Sequence, residues 1–328
     1  MSRRAPALAA LLLLAQALGL GAAIAAPPSL SSDALLRDHL WRAFNELPKE
    51  QRPKMGLVLS AGSLRATAHV GVIYALENAG FAFDVVAGTS MGAIIGALYA
   101  AGRPVRDLWK IAEGIKLDSG NNLDTLSLVR LIISDRLLSS EKTERFVRTH
   151  IGDKRFEDLP RPFACVAMDL YSGEPIIFRE GDVASAVRAS MNLPGIFQPV
   201  EYRHRFLVDG GVVDYIPVDA ARLLKADWVL ATIAEPDFTH SRPNNVLQSL
   251  EQVIDIRGAL LSREQRKQAN FLVEPPVGDI GMYDSDRIPE AISKGVIAGQ
   301  HAVPAAQEHL LLFSMRALMR GWLPGAKR

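Results

Sequence analysis

The chain has 328 residues, with 37 Lys and Arg against 36 Asp and Glu and a hydrophobic fraction of 48%. That is ample for a packed core, and the near balance of charge excludes the bulk basic character that nucleic acid or a strongly acidic partner would call for. The single cysteine, Cys165, excludes an intrachain disulfide; in the apolar run PFACVAMDL it reads as a small core residue.

The chain opens MSRRAPALAALLLLAQALGLGAAIAAPPSL. Arg3 and Arg4, then an apolar stretch, then small residues before Pro27, predict a signal sequence over 1–25 cut near Ala25 or Ala26. The alternative is an uncleaved N-terminal anchor, since the apolar run approaches spanning length. Either way the protein is expected to be exported, to the periplasm or outside the cell. Residues 26–55 read as a lead-in helix over 32–47 and a polar, proline-bearing connector.

From there the pattern alternates. GLVLS (56–60) is a candidate buried strand, and TAHVGVIYALENAG (67–80) is helical with Gly80 as its cap. FDVVAG (83–88) is a second strand, and MGAIIGALYAAG (91–102) is a second helix. Strand, helix, strand, helix with short connections predicts an α/β fold with a parallel sheet covered by helices. The stretch 104–160 is mostly helical in pattern. PFACVAMDL (162–170) and PIIFRE (175–180) read as strands around the Ser172-Gly173 turn, and DVASAVRASM (182–191) as a helix capped by Asp182. RFLVD and DWVLATIA (227–234) are further strands, EPDFTHSRPNN (235–245) is a loop, and helices finish the chain. One domain is expected over 56–300, followed by a C-terminal helix and basic tail over 301–328.

Within this pattern, GTSMG (88–92) sits where a strand turns into a helix. A residue at such a turn is held in a strained conformation with its side chain projected outward, and Gly88 and Gly92 remove side chains that would collide around Ser90. The following helix start adds N–H groups and partial positive charge. Ser90 is therefore a candidate nucleophile, with a plain tight turn as the alternative. A nucleophilic serine needs a proton acceptor. Of the seven histidines, His39 and His309 lie on outlying helices, His150 follows a charged helix, and His204 lies among charges in EYRHR. His301 is the sixth, and a structural hydrogen bond is the expected role of His69; no motif supports the remaining one, His240. His240, in the loop after DWVLATIA, is the triad candidate by chain order. A different acceptor is offered by VDGGVVDYIPV (208–218), where Asp209 closes an apolar run before Gly210 and Gly211. Those glycines let the backbone turn sharply beside the carboxylate. An Asp-Gly turn without chemistry is equally compatible with these residues.

Five blocks in order carry a resemblance: GLVLSAGSLRATAHVGVIYALENAG, VVAGTSMGAIIGALYAAG, VRASMNLPGIFQPV, VDGGVVDYIPV and VGDIGMYDSDRIPEAISKGVIAG. Over residues 56–300 the chain resembles the bacterial patatin-like phospholipases. The resemblance implies a three-layer α/β/α fold with a mostly parallel central sheet sandwiched by helices. It implies a Ser-Asp dyad, with Ser90 as nucleophile and Asp209 as base, acting on acyl esters of lipids. The implied partner is a lipid or phospholipid substrate with peripheral membrane contact; no metal or other cofactor is implied. The family's oxyanion loop, usually GGGxRG, aligns with AGSLRA, so Gly62, Ser63, Leu64 and Arg65 are the oxyanion candidates. Ala61, Ser63 and Ala66 stand where glycines are usual, and positive φ is costly for alanine or serine. A lost oxyanion donor costs about 3 kcal/mol. This departure sets up the alternative of a catalytically weak or inactive lipid-binding protein. Asp214 also stands where the family often has asparagine, and Arg65 reads as a brace for the loop. LWKIAEGIKL, LDTLSLVRLII and the C-terminal LLLFSMRALMRGWLPGAKR carry apolar faces and are the segments to consider for membrane contact.

Overall fold

The computed structural model describes residues 31–114, 139–239, 242–243, 246–282 and 284–322. The expected signal sequence, the apolar segment LDTLSLVRLII, His240 and the end of the basic tail lie outside these residues. The chain separates into two units, Met1–Ala43 and Phe44–Arg328. Of the first, the described part is the opening of helix α1 (Ser32–Glu46).

The second unit is built on an eight-stranded sheet. In chain order it runs β1 (Met55–Leu59), α2 (Ala68–Asn78), β2 (Val85–Thr89), α3 (Met91–Ala100), α4 (Val105–Glu113) and α5 (Glu141–Ile151). Then come β3 (Phe163–Asp169), β4 (Pro175–Phe178), α6 (Val183–Ser190), β5 (Val200–Tyr202), β6 (Arg205–Asp209), α7 (Val218–Leu223) and β7 (Trp228–Thr232). It closes with α8 (Val246–Gln265), β8 (Phe271–Val273), α9 (Ile288–Phe313) and α10 (Met315–Trp322). The sheet order is β5-β6-β3-β2-β1-β7-β8, with β4 pairing β3 off this path. The pairs β1–β2, β1–β7, β2–β3 and β7–β8 are parallel. Those involving β4, β5 and β6 are antiparallel.

The expected strands read as unbroken apolar runs because both faces of the sheet are covered. β1, β2 and β7 are buried at every residue. Val58, Ala87, Val166 and Val229 join one core cluster with Val218, Ala220 and Ala221 of α7. Side chains one residue out of phase face the other way: a Cβ added to Gly96 of α3 would lie 2.9 Å from Phe163, 3.3 Å from Val86 and 3.6 Å from Leu59. The period of two thus places α7 on one face and α3 on the other, giving three layers of α, β and α. The Asp182 cap is present, its side chain accepting from Ser185 N at 2.7 Å. Cys165 is fully buried, and burial pushes its thiol up.

Two strands escape the sequence reading. β5 is paired to β6 by a two-residue turn in which Arg203 (φ 47°) and His204 (φ 65°) are both left-handed. That is the turn hairpins prefer for its twist, made here without glycine. β8 is three residues long and carries no alternation to read.

The registers show how the sheet sets up the site. Val166 pairs with Thr89 of β2 and with Ile177 of β4. Ala167 pairs with Ile176 of β4 and with Asp209 of β6. A strand has two edges, so β4 takes one and β2 and β6 share the other. The two strands run toward each other along that edge of β3, and their C-terminal ends meet between Val166 and Ala167.

Candidate active site

Ser90 follows the last residue of β2, and Asp209 is the last residue of β6. The meeting of those ends brings them together across 119 positions of sequence. Ser90 Oγ donates to Asp209 Oδ2 at 2.6 Å. Ser90 has φ 57° and ψ −124°, a conformation that a side chain rarely adopts and that only close surrounding packing can hold. That packing is backbone on backbone. A Cβ at Gly88 would lie 2.3 Å from Gly92 O, and one at Gly92 would lie 2.4 Å from Leu59 O. The two glycines let the turn sit against itself and against the end of β1.

The strained turn is tied from outside by Ser190, the last residue of α6. Ser90 N donates to Ser190 Oγ at 2.9 Å, and Ser190 Oγ donates to Val166 O at 2.6 Å. Gly210 closes on the same carbonyl, since a Cβ there would lie 2.2 Å from Val166 O. One carbonyl on β3 therefore anchors both the serine turn and the aspartate turn. Asp209 N donates to Asn192 O at 2.9 Å, and Asp209 Oδ1 accepts from Gly211 N at 2.7 Å. Asn192 is held in turn by Ser140 Oγ, which donates to its Oδ1 at 2.6 Å, and by its own donation to Gln198 O at 2.8 Å.

Asp209 is 3% exposed. Burial raises its carboxyl from the ordinary range to about 6; the hydrogen bonds from Ser90 and Gly211 pull the other way and only partly offset it. Near neutral pH the carboxylate is therefore charged, close to its pKa and already bonded to the serine hydroxyl. That is a proton acceptor poised for a serine.

The loop AGSLRA continues β1 and lies beside this pair. Ala61 N donates to Tyr215 O at 3.0 Å, and Ala61 Cβ meets the backbone of Gly211, where a Cβ would lie 3.0 Å away. Gly62 has φ 152°, and a Cβ there would lie 2.6 Å from Ala234 O, so this position requires glycine. Of the three positions lacking the usual glycine, Ser63 alone has a positive φ, at 48°. Ala61 and Ala66 keep ordinary backbone conformations, and the expected strain does not arise there. Ser63–Thr67 forms a 3-10 turn leading into α2, with Leu64 buried inside it. Among the described residues the N–H groups of Gly62 and Ser63 meet no acceptor. Arg65 is buried; its Nη2 pairs with Asp255 of α8 at 2.5 Å and its Nη1 donates to Ile280 O at 3.3 Å. Its guanidinium therefore braces the loop.

The histidines divide as their surroundings dictate. His69 is fully buried, with Nδ1 3.1 Å from Thr232 Oγ1 and Nε2 3.1 Å from Ser60 O. Burial lowers it to about 4, so it is neutral and joins the ends of β1 and β7. His204 is in the β5–β6 turn, and His309 accepts from Trp228 Nε1 at 3.0 Å. Asp214 is buried and raised to about 7, first by burial and then by the charge of Asp219; Gln265 Nε2 donates to it at 2.9 Å. Among the described residues no group of three or more His, Cys, Asp or Glu is placed to hold a metal ion. Sequence reasoning missed the positioning contacts of Ser190, Asn192 and Asp255. The first two lie in ASMNLP, a short polar interruption after an apolar helix. Asp255 lies 190 residues from Arg65 with no local signal.

A family model described as patatin-like phospholipase matches residues 57–222, which include Ser90, Asp209 and the AGSLRA loop. Two uncharacterized NTE family proteins of Mycobacterium tuberculosis are similar. One is 33% identical over 222 residues, covering 63% of this chain and 59% of its own length. The other is 31% identical over 276 residues, covering 76% of this chain and 46% of its own. A lysophospholipase of Aspergillus fumigatus is 35% identical over 178 residues, 54% of this chain and 12% of that protein. The chain thus spans about half the length of the mycobacterial relatives it matches. Among solved structures, human GIVD cytosolic phospholipase A2 shares the fold at TM-score 0.50 and 12% identity, over 88% of this chain and 63% of that one. With the matched segment running from the first strand through the aspartate turn, the chain belongs to the patatin-like phospholipase family.

Proposed function

We propose that the protein is a serine lipid acyl hydrolase, exported to the periplasm or outside the cell, that cleaves carboxylic ester bonds of lipids or phospholipids. The observation that carries this reading is the 2.6 Å hydrogen bond from a strained, buried Ser90 to a buried Asp209 near its pKa. Ser90 Oγ attacks the ester carbonyl while its proton passes to Asp209 Oδ2. The N–H groups of Gly62 and Ser63, with the start of α3, stabilise the oxyanion. The ester C–O bond breaks, the alcohol leaves with the proton from Asp209, and an acyl-Ser90 remains. Water then gives a proton to Asp209 as its oxygen bonds the acyl carbon; the acyl–Oγ bond breaks, Asp209 returns the proton to Ser90 Oγ, and the fatty acid leaves.

Ser90→Ala and Asp209→Ala are each expected to abolish hydrolysis of a lipid ester, and a fluorophosphonate probe is expected to label wild type at Ser90. His240→Ala is expected to stay active; its inactivity would favour a Ser-His arrangement. A fully active Ser90→Ala protein would overturn the proposal. Ser63 at φ 48° favours a second reading, a weakly active lipid-binding protein. Lipid binding without probe labelling or turnover would select it. Export is tested separately, by the N-terminal residue of the protein recovered from cells: a start near Ala26 is expected, and a start at Met1 contradicts cleavage.

A further inference from the structure

One helix, α8, borders the candidate oxyanion loop, the aspartate turn and the segment after Met191. Leu250 of α8 packs on Gly195, where a Cβ would lie 2.6 Å from Leu250 Cδ2, in the segment that follows Met191. Asp255 pairs with Arg65 of the oxyanion loop. Arg257 Nε donates to Val212 O at 3.3 Å, just past the aspartate turn. Gly258 lies under the ring of Tyr215, with room for no Cβ, and Gln265 joins Asp214 to Ile216 N. The inner face of α8 and the flank that carries Arg257 are accounted for by these contacts.

Its outer face carries an apolar stripe, which ends at Glu264, exposed and paired with Lys267. Val253 is 63% exposed, Ile256 37% and Leu260 50%. Their spacing of three and then four residues puts them on one stripe. Arg257 and Arg263, both exposed, stand beside that stripe. Two further pairs of large exposed apolar residues mark the two ends of the sheet. Gln307 of α9 donates to Ala79 O, beyond the C-terminus of α2, and His309 bonds Trp228 at the start of β7. Leu312 and Phe313 follow directly, so the C-terminal run lies at the end of the parallel strands remote from Ser90. Leu170 and Tyr171, exposed at the tip of the β3–β4 hairpin, lie at the same end as Ser90, because β3 runs parallel to β2.

We propose that the outer face of α8 docks the protein onto a lipid bilayer carrying anionic headgroups, with Val253, Ile256 and Leu260 entering the acyl boundary and Arg257 and Arg263 meeting phosphates. The proposal rests on the lipid-hydrolase reading, since an ester leaving a bilayer must reach a serine that is 6% exposed in the site whose candidate oxyanion loop this helix braces. Apolar side chains supply the anchoring area and the arginines supply the charge preference. Among the described residues no helix is long and apolar enough to cross a membrane, so the contact they offer is peripheral.

The test is flotation of the full chain with vesicles of phosphatidylcholine and phosphatidylglycerol in equal parts, and with phosphatidylcholine alone. Wild type and Ser90→Ala are expected to float with the mixed vesicles and far less with the neutral ones. The double substitution Val253→Glu with Leu260→Glu is expected to weaken binding about tenfold or more. Its hydrolysis of a short-chain, monomeric ester should be unchanged while hydrolysis of vesicle phospholipid falls. Leu312→Glu with Phe313→Glu, at the remote end, should bind as wild type does. Should the double variant fail to fold, Val253→Ser and Leu260→Ser, each alone, give the same reading in smaller steps. Wild-type binding by the α8 variant, loss of binding by the remote pair, or no flotation of wild type overturns the proposal. So does a wild-type dimer that the α8 variant converts to monomer, which would make the stripe a contact between copies. Flotation without hydrolysis of either ester would instead refute the hydrolase reading and leave docking standing.

Discussion

At the residue scale, two buried aspartates, five residues apart, make the same demand on stability and are expected to differ in their effect on activity. Asp209 and Asp214 are raised to about 6 and about 7, in both cases chiefly by burial. A carboxyl whose folded pKa lies above its unfolded value binds a proton on folding. Its stabilising contribution is complete below about pH 4 and is lost as pH rises through the folded value, so at neutral pH both charges cost stability. Asp209→Asn should therefore raise the unfolding midpoint at pH 8, by on the order of 2–3 kcal/mol in stability, with the gain shrinking to nothing near pH 4. The amide can accept from Gly211 N and donate to Ser90 Oγ, so the turn survives while the base is gone; hydrolysis should fall to background. Asp214→Asn, still able to accept from Gln265, should give a similar rise in stability and keep activity. Denaturation midpoints against pH for the two variants check both halves. In wild type, kcat/KM should climb with pH through a limb near 6, the ionisation of the free base. A limb absent from that region would remove Asp209 from the role of base.

At the element scale, the sequence carried the parts of the site but not the joint between them. GTSMG between a strand and a helix and VDGG after another strand were legible because glycine spacing reports close backbone approach. That β2 and β6 end against each other on one edge of β3 was not legible, since it depends on strand registers rather than on any local pattern. The bracing of Arg65 by α8 was hidden for the same reason: its partner is on a helix that none of the blocks carrying the resemblance includes. α6 shows what such joints do. Its last residue, Ser190, bonds the strained Ser90 N–H and the Val166 carbonyl together. Ser190→Ala would leave that buried N–H unpaired, at a cost of about 1–3 kcal/mol. The serine turn would relax toward ordinary dihedrals. We expect kcat and the rate of fluorophosphonate labelling to fall about tenfold or more, with KM little changed, since the lost contact positions Ser90, the proposed nucleophile, without touching bound lipid. A raised KM at unchanged kcat would assign Ser190 to lipid binding instead.

At the scale of the whole molecule, the end of the sheet that carries Ser90 depends on a helix outside the segment matched to the family. The match stops at residue 222, yet α9, which begins at Ile288, lies directly along α2, the helix that follows the oxyanion loop. The crossing is made backbone to backbone. A Cβ at Gly71 would lie 2.0 Å from Ile292 O, and one at Gly295 would lie 2.0 Å from Ala68 O. Both obstructing atoms are carbonyls within helices, which cannot rotate aside as a side chain could. Adding a methyl group at either position must push the helices apart, so Gly295→Ala should cost at least the 1–3 kcal/mol typical of an overpacked core. The displacement falls at Ala68, where the loop of Gly62 and Ser63 enters α2. Hydrolysis should therefore drop even under conditions where the variant is folded, whereas Ser293→Ala, two residues away on an exposed part of α9, should leave both properties near wild type. Urea midpoints alongside kcat for the two variants test this coupling. A stable, fully active Gly295→Ala protein would show that α9 packs without governing the site.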